Sequence, residues 1–504
     1  MDASSSTTLA YSNLTEDVKK TIGHFATGMI ANPEAVPHCP QAQYLADACP
    51  ADTLIGSAGG LIDAAPNTRT TVAVSGRIYN QELLADEAGR LGIILDTAPT
   101  KTLLTAPFYV RSNGDYGLDG VLDDLPRALT GIGVGNTQID KLSFTLFGTV
   151  NGRKFTRAPT NCSLHVSTGE AIGYDDPTPV TNGPASSYTP TNCGKLPFKP
   201  TFSIAVGSKG TTGARKHPPL AVHVTLPPGH AGISGNTVTL PFELGPNFAA
   251  FDVVCTGAQL AASACPAGSR IGTTTATSNF VATPLSGPVY LVQQPGVIIP
   301  ALVADLRGRV HVQIKIANVI RAGKFIKSTV TGVPDLPVST FDLNLDAGTG
   351  SPLENKLDLC RKGRKVRKLT AAVSFTGQNG PTVSTKPRIR VPGCGPIASA
   401  KLSRARRAGV LLRVKVRRHP DGGRLARFTL KLPKPLRLAN GRRKVTVRSR
   451  KRGASAIGAK LRVRLAQRAR NRLRHGRGLK LRYELVAVQT DGTKFKVTVR
   501  SRVR

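Results

Sequence analysis

Eight cysteines offer the clearest covalent chemistry in this sequence. They fall into two sets of four, namely Cys39, Cys49, Cys162 and Cys193, then Cys255, Cys265, Cys360 and Cys394. An even number at repeated spacing predicts disulfides, which persist in an oxidising compartment. Each set can pair in three ways, and we favour pairing in chain order: Cys39 with Cys49, Cys162 with Cys193, Cys255 with Cys265, and Cys360 with Cys394. Metal binding is the weaker alternative, because no C-x2-C or Cys/His cluster accompanies the cysteines.

The first two cysteines of each set bracket a segment that occurs twice. HCPQAQYLADACPADTLIG begins at His38 and VCTGAQLAASACPAGSRIG begins at Val254, with nine residues between the cysteines in both. The residues that recur 216 positions later are Ala42, Gln43, Ala46, Ala48, Pro50, Ala51, Ile55 and Gly56. A continuous helix would hold the two cysteines about 15 Å apart, beyond the roughly 7 Å that a bridge allows. We therefore predict a short helical turn between bends that Pro40 and Pro50 permit.

Two pairs of adjacent carboxylates are the candidates for acid–base chemistry. Asp123/Asp124 and Asp175/Asp176 could supply the two carboxyl groups of a glycosidase, which lie about 5 to 10 Å apart. However, both pairs lie just before a proline, a context that is typical of turns. We therefore interpret them as turn residues.

Other signals for catalysis or cofactor binding are weak. The run TGIGVGN, residues 130–136, resembles a phosphate-binding loop, but its third glycine is misplaced and a strand pattern follows it. His217, His223 and His230 form a loose group that suits strand or surface positions better than a metal site. No G-x-S-x-G, Walker A or H-E-x-x-H motif occurs. The sequence predicts no catalytic residue, no metal and no cofactor.

The positive charge is concentrated at one end of the chain. The net charge of the 504 residues is +39, but residues 1–360 hold 25 basic and 27 acidic residues. Residues 401–504 hold 35 lysines and arginines against three acids. A field of this strength attracts polyanions without reading their sequence. Anionic wall polymers, lipid head groups and extracellular DNA are the candidate partners, and a solvated cationic face without a dedicated partner is the alternative.

We place the polyanion contacts in the densest basic stretch and the strand that follows it. The predicted contact residues are Arg442, Arg443, Lys444, Arg448, Arg450, Lys451, Arg452, Arg462 and Arg464. Proteins that stack nucleic-acid bases need exposed aromatic rings. Residues 401–504 contain only Phe428, Tyr483 and Phe495, and two of these fall on the apolar phase of their strands. Sequence-specific nucleic-acid recognition is therefore not expected.

The elements that position these residues are predicted to be strands. Gly 51 and Pro 36 with 5% aromatics indicate short strands joined by turns. In VLLRVKVRR, from Val410, apolar side chains alternate with Arg and Lys, which places them on opposite faces of a sheet. We predict an all-β fold with two homologous disulfide-stapled units, residues 1–199 and 200–395, and a small basic immunoglobulin-like β-sandwich, residues 396–504. The residues before the first cysteine motif are expected to be an irregular lead-in, and those between Cys162 and Cys193 a loop.

Several strings of the two units resemble a bacterial family. They are NPEAVPHC and ACPADTLIG, the SG-x-[IV]-Y strand, VPDLPVSTFDLNLDAG, LDLC, and FTGQNG followed by VPGC. Over residues 20 to 395 the chain resembles repeat-containing secreted or surface-associated proteins of high-GC Gram-positive (actinobacterial) bacteria. The resemblance implies kinship and location, and it assigns no activity.

These features together predict a secreted or surface-attached protein that is not an enzyme and that holds anionic envelope polymers through its basic domain. A nucleic-acid-binding protein is the second hypothesis and a carbohydrate-active enzyme the third. Residues 1–14 lack the basic and apolar regions of an export signal, so we expect a processed chain or an upstream start. No apolar run approaches the roughly 18 residues of a membrane span.

Overall fold

A computed structural model describes residues 5–10, 17–63, 71–97, 100–111, 114–126, 138–321, 325–362, 365–404, 410–449, 453–475 and 479–503. Within these ranges the fold is all-β, and every pair of named strands is antiparallel. The helices are α1 (Gln41–Leu45), α2 (Gly257–Ala261) and α3 (Gln467–Arg474). None of these described helices has the length and apolar composition that a membrane crossing needs.

The first unit is built on a ten-stranded sheet in the order β1-β9-β4-β5-β6-β7-β8-β2-β13-β14. Two short pairs accompany it, the hairpin β10-β11 and the pair β12-β3, whose strands are distant in sequence. The strands are β1 (Ser5–Ala10), β2 (Val18–His24), β3 (Ile30–Ala31), β4 (Leu54–Asp63), β5 (Thr71–Asn80), β6 (Gly89–Thr97), β7 (Thr100–Val110), β8 (Leu118–Leu122), β9 (Gln138–Leu146), β10 (Thr149–Val150), β11 (Arg153–Lys154), β12 (Thr156–Arg157), β13 (His165–Gly173) and β14 (Val180–Tyr188).

The second unit is built on an eleven-stranded sheet in the order β15-β16-β24-β19-β20-β21-β22-β23-β17-β29-β30. Its small pairs are β18-β25, β26-β27 and β28-β31. The strands are β15 (Thr201–Val206), β16 (Leu220–Thr225), β17 (Ile233–Thr239), β18 (Leu244–Pro246), β19 (Arg270–Ser278), β20 (Val281–Val292), β21 (Ala301–Leu306), β22 (Val312–Arg321), β23 (Phe325–Val330), β24 (Val338–Leu345), β25 (Leu353–Asn355), β26 (Arg361–Lys362), β27 (Lys365–Val366), β28 (Leu369–Thr370), β29 (Ala372–Gly377), β30 (Thr382–Thr385) and β31 (Arg388–Ile389).

The two large sheets share one topology, as the duplicated sequence predicts. Apart from β15, the second sheet has ten strands, and they lie side by side in the same order as the ten strands of the first sheet. β16 at one end corresponds to β1, and β30 at the other end corresponds to β14. The matching glycines Gly56 and Gly272 have the same role, because a Cβ on either would collide with the backbone of Thr145 or Asn344 on the neighbouring strand. Strand β15 has no counterpart among the described strands of the first sheet.

The cysteine motif folds as a helical turn between bends in both copies, which confirms that prediction. α1 and α2 each span five residues, and a residue in the left-handed region follows each helix, Asp47 in one copy and Ser263 in the other. This turn returns the chain, so that the Cα atoms of Cys39 and Cys49 are 5.4 Å apart. The four disulfides join Cys39–Cys49, Cys162–Cys193, Cys255–Cys265 and Cys360–Cys394.

The basic region folds as a sandwich of two four-stranded sheets, β32-β33-β37-β35 and β36-β34-β38-β39. The strands are β32 (Ile397–Arg404), β33 (Val410–Arg417), β34 (Leu425–Lys431), β35 (Leu436–Leu438), β36 (Lys444–Arg448), β37 (Ala456–Leu465), β38 (Leu479–Gln489) and β39 (Lys494–Val503). Alternate residues such as Leu412, Val414 and Leu430 are buried in one shared core, so the residues between them face outward. The sandwich predicted from alternation is thus confirmed.

Two sequence expectations are wrong. The lead-in before the cysteine motif contains β1 and β2, and β2 lies between β8 and β13 inside the sheet. The expected loop between Cys162 and Cys193 contains the paired strands β13 and β14. These strands are rich in Ser, Thr, Gly and Lys, so hydrogen bonding to neighbouring strands forms them without a marked apolar pattern.

Candidate polyanion surface and an apolar cavity

One outer face of the sandwich carries a dense array of exposed cations. We call it the basic face, and its residues are Lys401, Arg413, Lys415, Arg417, Arg437, Lys460, Arg462 and Arg464. Lys401, Arg413 and Lys460 lie directly opposite one another on three adjacent strands. Adjacent strands are about 4.8 Å apart, so the backbones that carry these three side chains are close neighbours. Like charges placed directly opposite destabilise a sheet, and an anion bound across the row would relieve that repulsion.

The three acids of residues 401–504 are engaged away from the basic face. The Asp421 carboxylate lies 2.8 Å from the Arg388 guanidinium of the second unit. Glu484 pairs with Lys431 at 3.3 Å on the opposite sheet. Asp491 accepts a hydrogen bond from the Thr493 backbone N–H in a turn. The cations of the basic face therefore have no acid of the same domain beside them.

The structure divides the predicted polyanion contacts between two surfaces. Arg462 and Arg464 lie on the basic face, whereas Lys444 and Arg448 are exposed on β36 of the other sheet. Arg442 is exposed in the turn before β36. Arg443 is half-buried, and its guanidinium donates to the Leu432 carbonyl at 3.0 Å. Arg450, Lys451 and Arg452 lie outside the described residues.

The aromatic residues of the sandwich are not placed to stack on bases. Phe428 and Tyr483 are fully buried. Phe495 is half-buried, and its ring lies 5.9 Å from the Lys209 ammonium of the second unit. Among the described residues the basic face offers charge without exposed rings, which suits binding to a phosphate or carboxylate backbone better than base recognition.

A second feature, which the sequence did not predict, is a cavity of 920 Å³ between the two units. Alternate residues of the first sheet form one wall, among them Leu91, Ile93 and Phe108. Residues of the second unit, including Leu306 and Val312, form the opposite wall. The cavity is therefore a product of the contact between the units.

The walls of the cavity are mostly apolar. Polar side chains also line it, among them Thr8, Arg90, Ser167 and Thr277. An occupant that is apolar over most of its surface therefore matches these walls best.

A buried carboxylate, Asp335, joins the two units beside this cavity. It lies in the second unit and accepts hydrogen bonds from Thr160 of the first unit, through the hydroxyl at 2.7 Å and through the backbone N–H. The backbone N–H of Asn161 donates to it at 3.1 Å. One guanidinium nitrogen of Arg157, Nη2, lies 3.4 Å away. The Thr160 hydroxyl also accepts from the Gly232 N–H at 2.9 Å. Each unit therefore donates a hydrogen bond to the other at this joint.

Two donors near Asp335 have no partner among the described residues. They are Nη1 of Arg157 and the hydroxyl of Tyr188, both buried and both on the cavity wall. Burial lowers the pKa of Arg157, although the charge of Asp335 acts in the opposite direction. Burial, assisted by the charge of Asp335, raises the pKa of Tyr188 to about 12. The Tyr188 phenol therefore stays protonated and can donate.

A second buried carboxylate, Asp305, lies beside another contact between the two units. It accepts from His311 at 2.6 Å, from Gln313 at 2.9 Å and from Arg307 at 2.9 Å. The backbone of Gln313 exchanges hydrogen bonds with the hydroxyl of Tyr116 in the first unit. Burial raises the pKa of Asp305, but the three donors outweigh burial and hold the pKa below its usual value.

The carboxylate pairs that were candidates for catalysis occupy turns. Asp123 pairs with Lys20 at 2.7 Å and accepts from the backbone N–H of Asp124. Asp176 accepts from the Thr178 N–H at 2.9 Å, and that bond lowers the pKa of Asp176. Neither pair lines the cavity. The glycine run at residues 130–136 falls outside the described residues.

The three histidines that lie close together in the sequence have separate surroundings in the structure. His223 bonds to Asp342 at 2.7 Å, and His230 accepts from the Lys199 N–H at 3.1 Å. His217 has a buried ring nitrogen without a hydrogen-bond partner among the described residues. No cluster of three or more His, Cys, Asp or Glu in the described part of the chain could hold a metal ion.

Comparisons with known proteins do not assign the chain to a family. No protein-family model and no curated protein matches the chain. Among solved structures, it is similar to BcpA, the major pilin subunit of Bacillus cereus, at 12% identity and a TM-score of 0.20, over 71% of this chain and 85% of the pilin. It is similar to a tetra-tandem repeat in the extending region of a large adhesion protein at 11% identity and a TM-score of 0.15, over 86% of this chain and 95% of the repeat. Scores this low leave the overall arrangements different, so no function follows from them.

Proposed function

We propose that this is a secreted or surface-attached, non-enzymatic β protein that binds anionic envelope polymers through the basic face of its C-terminal sandwich. The observation that carries the proposal is the array of eight exposed cations on one sheet, with the acids of that domain engaged elsewhere. Four disulfides support an oxidising location. The resemblance to secreted proteins of high-GC Gram-positive bacteria supports the same location.

The mode of binding follows from the arrangement of charge. Cations repeat across the strands of the basic face and along them, so a flexible polyanion can neutralise several at once. Each neutralised phosphate releases counterions, and the affinity therefore falls steeply as salt rises. Because no exposed ring accompanies the charges, affinity should depend on charge density more than on monomer identity.

The test uses the full chain and removes one row of the basic face. Lys401, Arg413 and Lys460 are changed together to Gln, and binding to a polyglycerol-phosphate polymer is measured over a series of salt concentrations. A lost phosphate contact lowers the steepness of log K against log salt by about one, so the triple variant should lower it by about three. The matched control changes Lys195, Lys199 and Lys216 to Gln, three exposed lysines outside the sandwich, and should leave the slope unchanged.

Parallel titrations with double-stranded DNA and a neutral glycan separate the alternatives. Binding of both polyanions that collapses with salt supports charge-driven capture. Binding of DNA alone would favour the nucleic-acid hypothesis, and salt-insensitive glycan binding would favour a carbohydrate-active protein. Equal slopes for the triple variant and the control would remove the basic face from the proposal.

A further inference from the structure

The cavity between the units combines two chemical features. Most of its wall is aliphatic or aromatic, as at Leu91, Phe108 and Val312. At one place the wall carries two buried donors without partners, Arg157 Nη1 and Tyr188 Oη. An unpaired buried donor is costly, so a group that accepts from both would be bound specifically.

Asp335 is common to the surroundings of both donors. Arg157 forms an ion pair with Asp335 at 3.4 Å, and the charge of Asp335 also acts on Tyr188. Asp335 already balances the positive charge of Arg157. A neutral oxygen acceptor is therefore as acceptable there as a carboxylate.

We infer that this cavity binds a single-chain acyl lipid, with the chain along the apolar walls and a carbonyl oxygen accepting from Arg157 Nη1 and Tyr188 Oη. Its volume of 920 Å³ lies within the roughly 300 to 1,000 Å³ of small-molecule sites. A sugar or nucleotide fits less well, because many of its polar groups would face the apolar side chains that make up most of the wall. This site is independent of the basic face, and its failure would leave the polyanion proposal untouched.

The decisive variant is Tyr188→Phe. Its hydroxyl has no partner within the described protein, so the variant loses no internal hydrogen bond and should unfold at the same temperature as the wild type or higher. A ligand carbonyl that accepts from this hydroxyl would lose one hydrogen bond, which predicts affinity about 3- to 10-fold weaker. Tyr109→Phe, at an exposed tyrosine outside the cavity wall, is the matched control.

Binding is measured by equilibrium dialysis of the full chain with radiolabelled palmitate and with methyl palmitate, below their aggregation limits. We expect one site per chain, weakened by Tyr188→Phe, unchanged by Tyr109→Phe and weakened by Leu146→Trp, which places a larger side chain on the cavity wall at β9. Binding of palmitate alone identifies a free fatty acid, and binding of the ester as well identifies acyl esters. Absence of binding to the wild type, equal affinity of the two Tyr→Phe variants, or an unchanged affinity of a folded Leu146→Trp protein would each overturn the inference.

Discussion

Replacing Asp335 by Asn should weaken the joint between the two units. The carboxylate is 3% exposed and accepts from Thr160, Asn161 and Arg157. An amide keeps one acceptor oxygen but turns N–H groups toward the remaining donors. It also leaves the Arg157 guanidinium buried without its counter-charge, a loss that typically costs about 3 to 5 kcal/mol. We expect the free energy of unfolding to fall by about that amount.

The control for this substitution is provided by the duplication. Asp124 occupies the same Asp-Leu-Pro string in the first unit, but its side chain is exposed. Asp124→Asn should therefore change the unfolding free energy by less than about 0.5 kcal/mol. Urea denaturation monitored by tyrosine fluorescence compares the two variants, and limited proteolysis reports separation of the units.

A double variant tests the physical reason. If the cost of Asp335→Asn comes from an unpaired buried cation, then Arg157→Met should recover part of the lost stability in the Asp335→Asn background. Such non-additivity is expected for residues that share one interaction. Equal stability of Asp335→Asn and Asp124→Asn, or strict additivity with Arg157→Met, would refute the reasoning.

Two further predictions concern the disulfides and acid stability. Replacing Cys360 and Cys394 by Ser should lower the free energy of unfolding by about 4 kcal/mol, and replacing Cys255 and Cys265 should lower it by about 3 kcal/mol. The first disulfide closes the longer loop and therefore restricts the unfolded chain more. Equal losses in urea denaturation under non-reducing conditions would contradict this. The lowered pKa of folded Asp305 means that its stabilisation is complete above the unfolded value of about 3.9 and is lost as pH falls through the folded value. Asp305→Asn should therefore flatten the dependence of melting temperature on pH below about pH 4. If that dependence is the same in the variant and the wild type, the hydrogen bonds to Asp305 do not contribute to acid stability as argued.

The elements that sequence reasoning found are those whose local pattern determines the structure. Nine residues between two cysteines are too many for a straight helix, so the return turn followed from covalent geometry. Strict alternation around Leu412 and Val414 predicted the sandwich. Strand β2 had no such pattern, because its place between β8 and β13 depends on pairing with distant residues.

The candidate sites also include one feature that a local sequence pattern predicts and one that only long-range packing produces. The basic stretch was visible in the sequence, but its division over two faces was not, because β36 and β37 join different sheets. The cavity had no local signal at all. Its donor Arg157 and its joint residue Asp335 are 178 residues apart, and only the packing of two complete sheets brings them together.

The repeated Asp-Leu-Pro string shows how duplication can create a site. In each copy the leucine lies inward, and Leu125 is fully buried while Leu336 lines the cavity. The aspartate before it is exposed in the first copy. In the second copy the first unit covers the turn, so Asp335 becomes the acceptor for that unit's donors. Identical residues thus acquire different chemistry, because Asp335 is covered by the other unit whereas Asp124 is exposed. The cavity beside Asp335 lies at that same contact between the units.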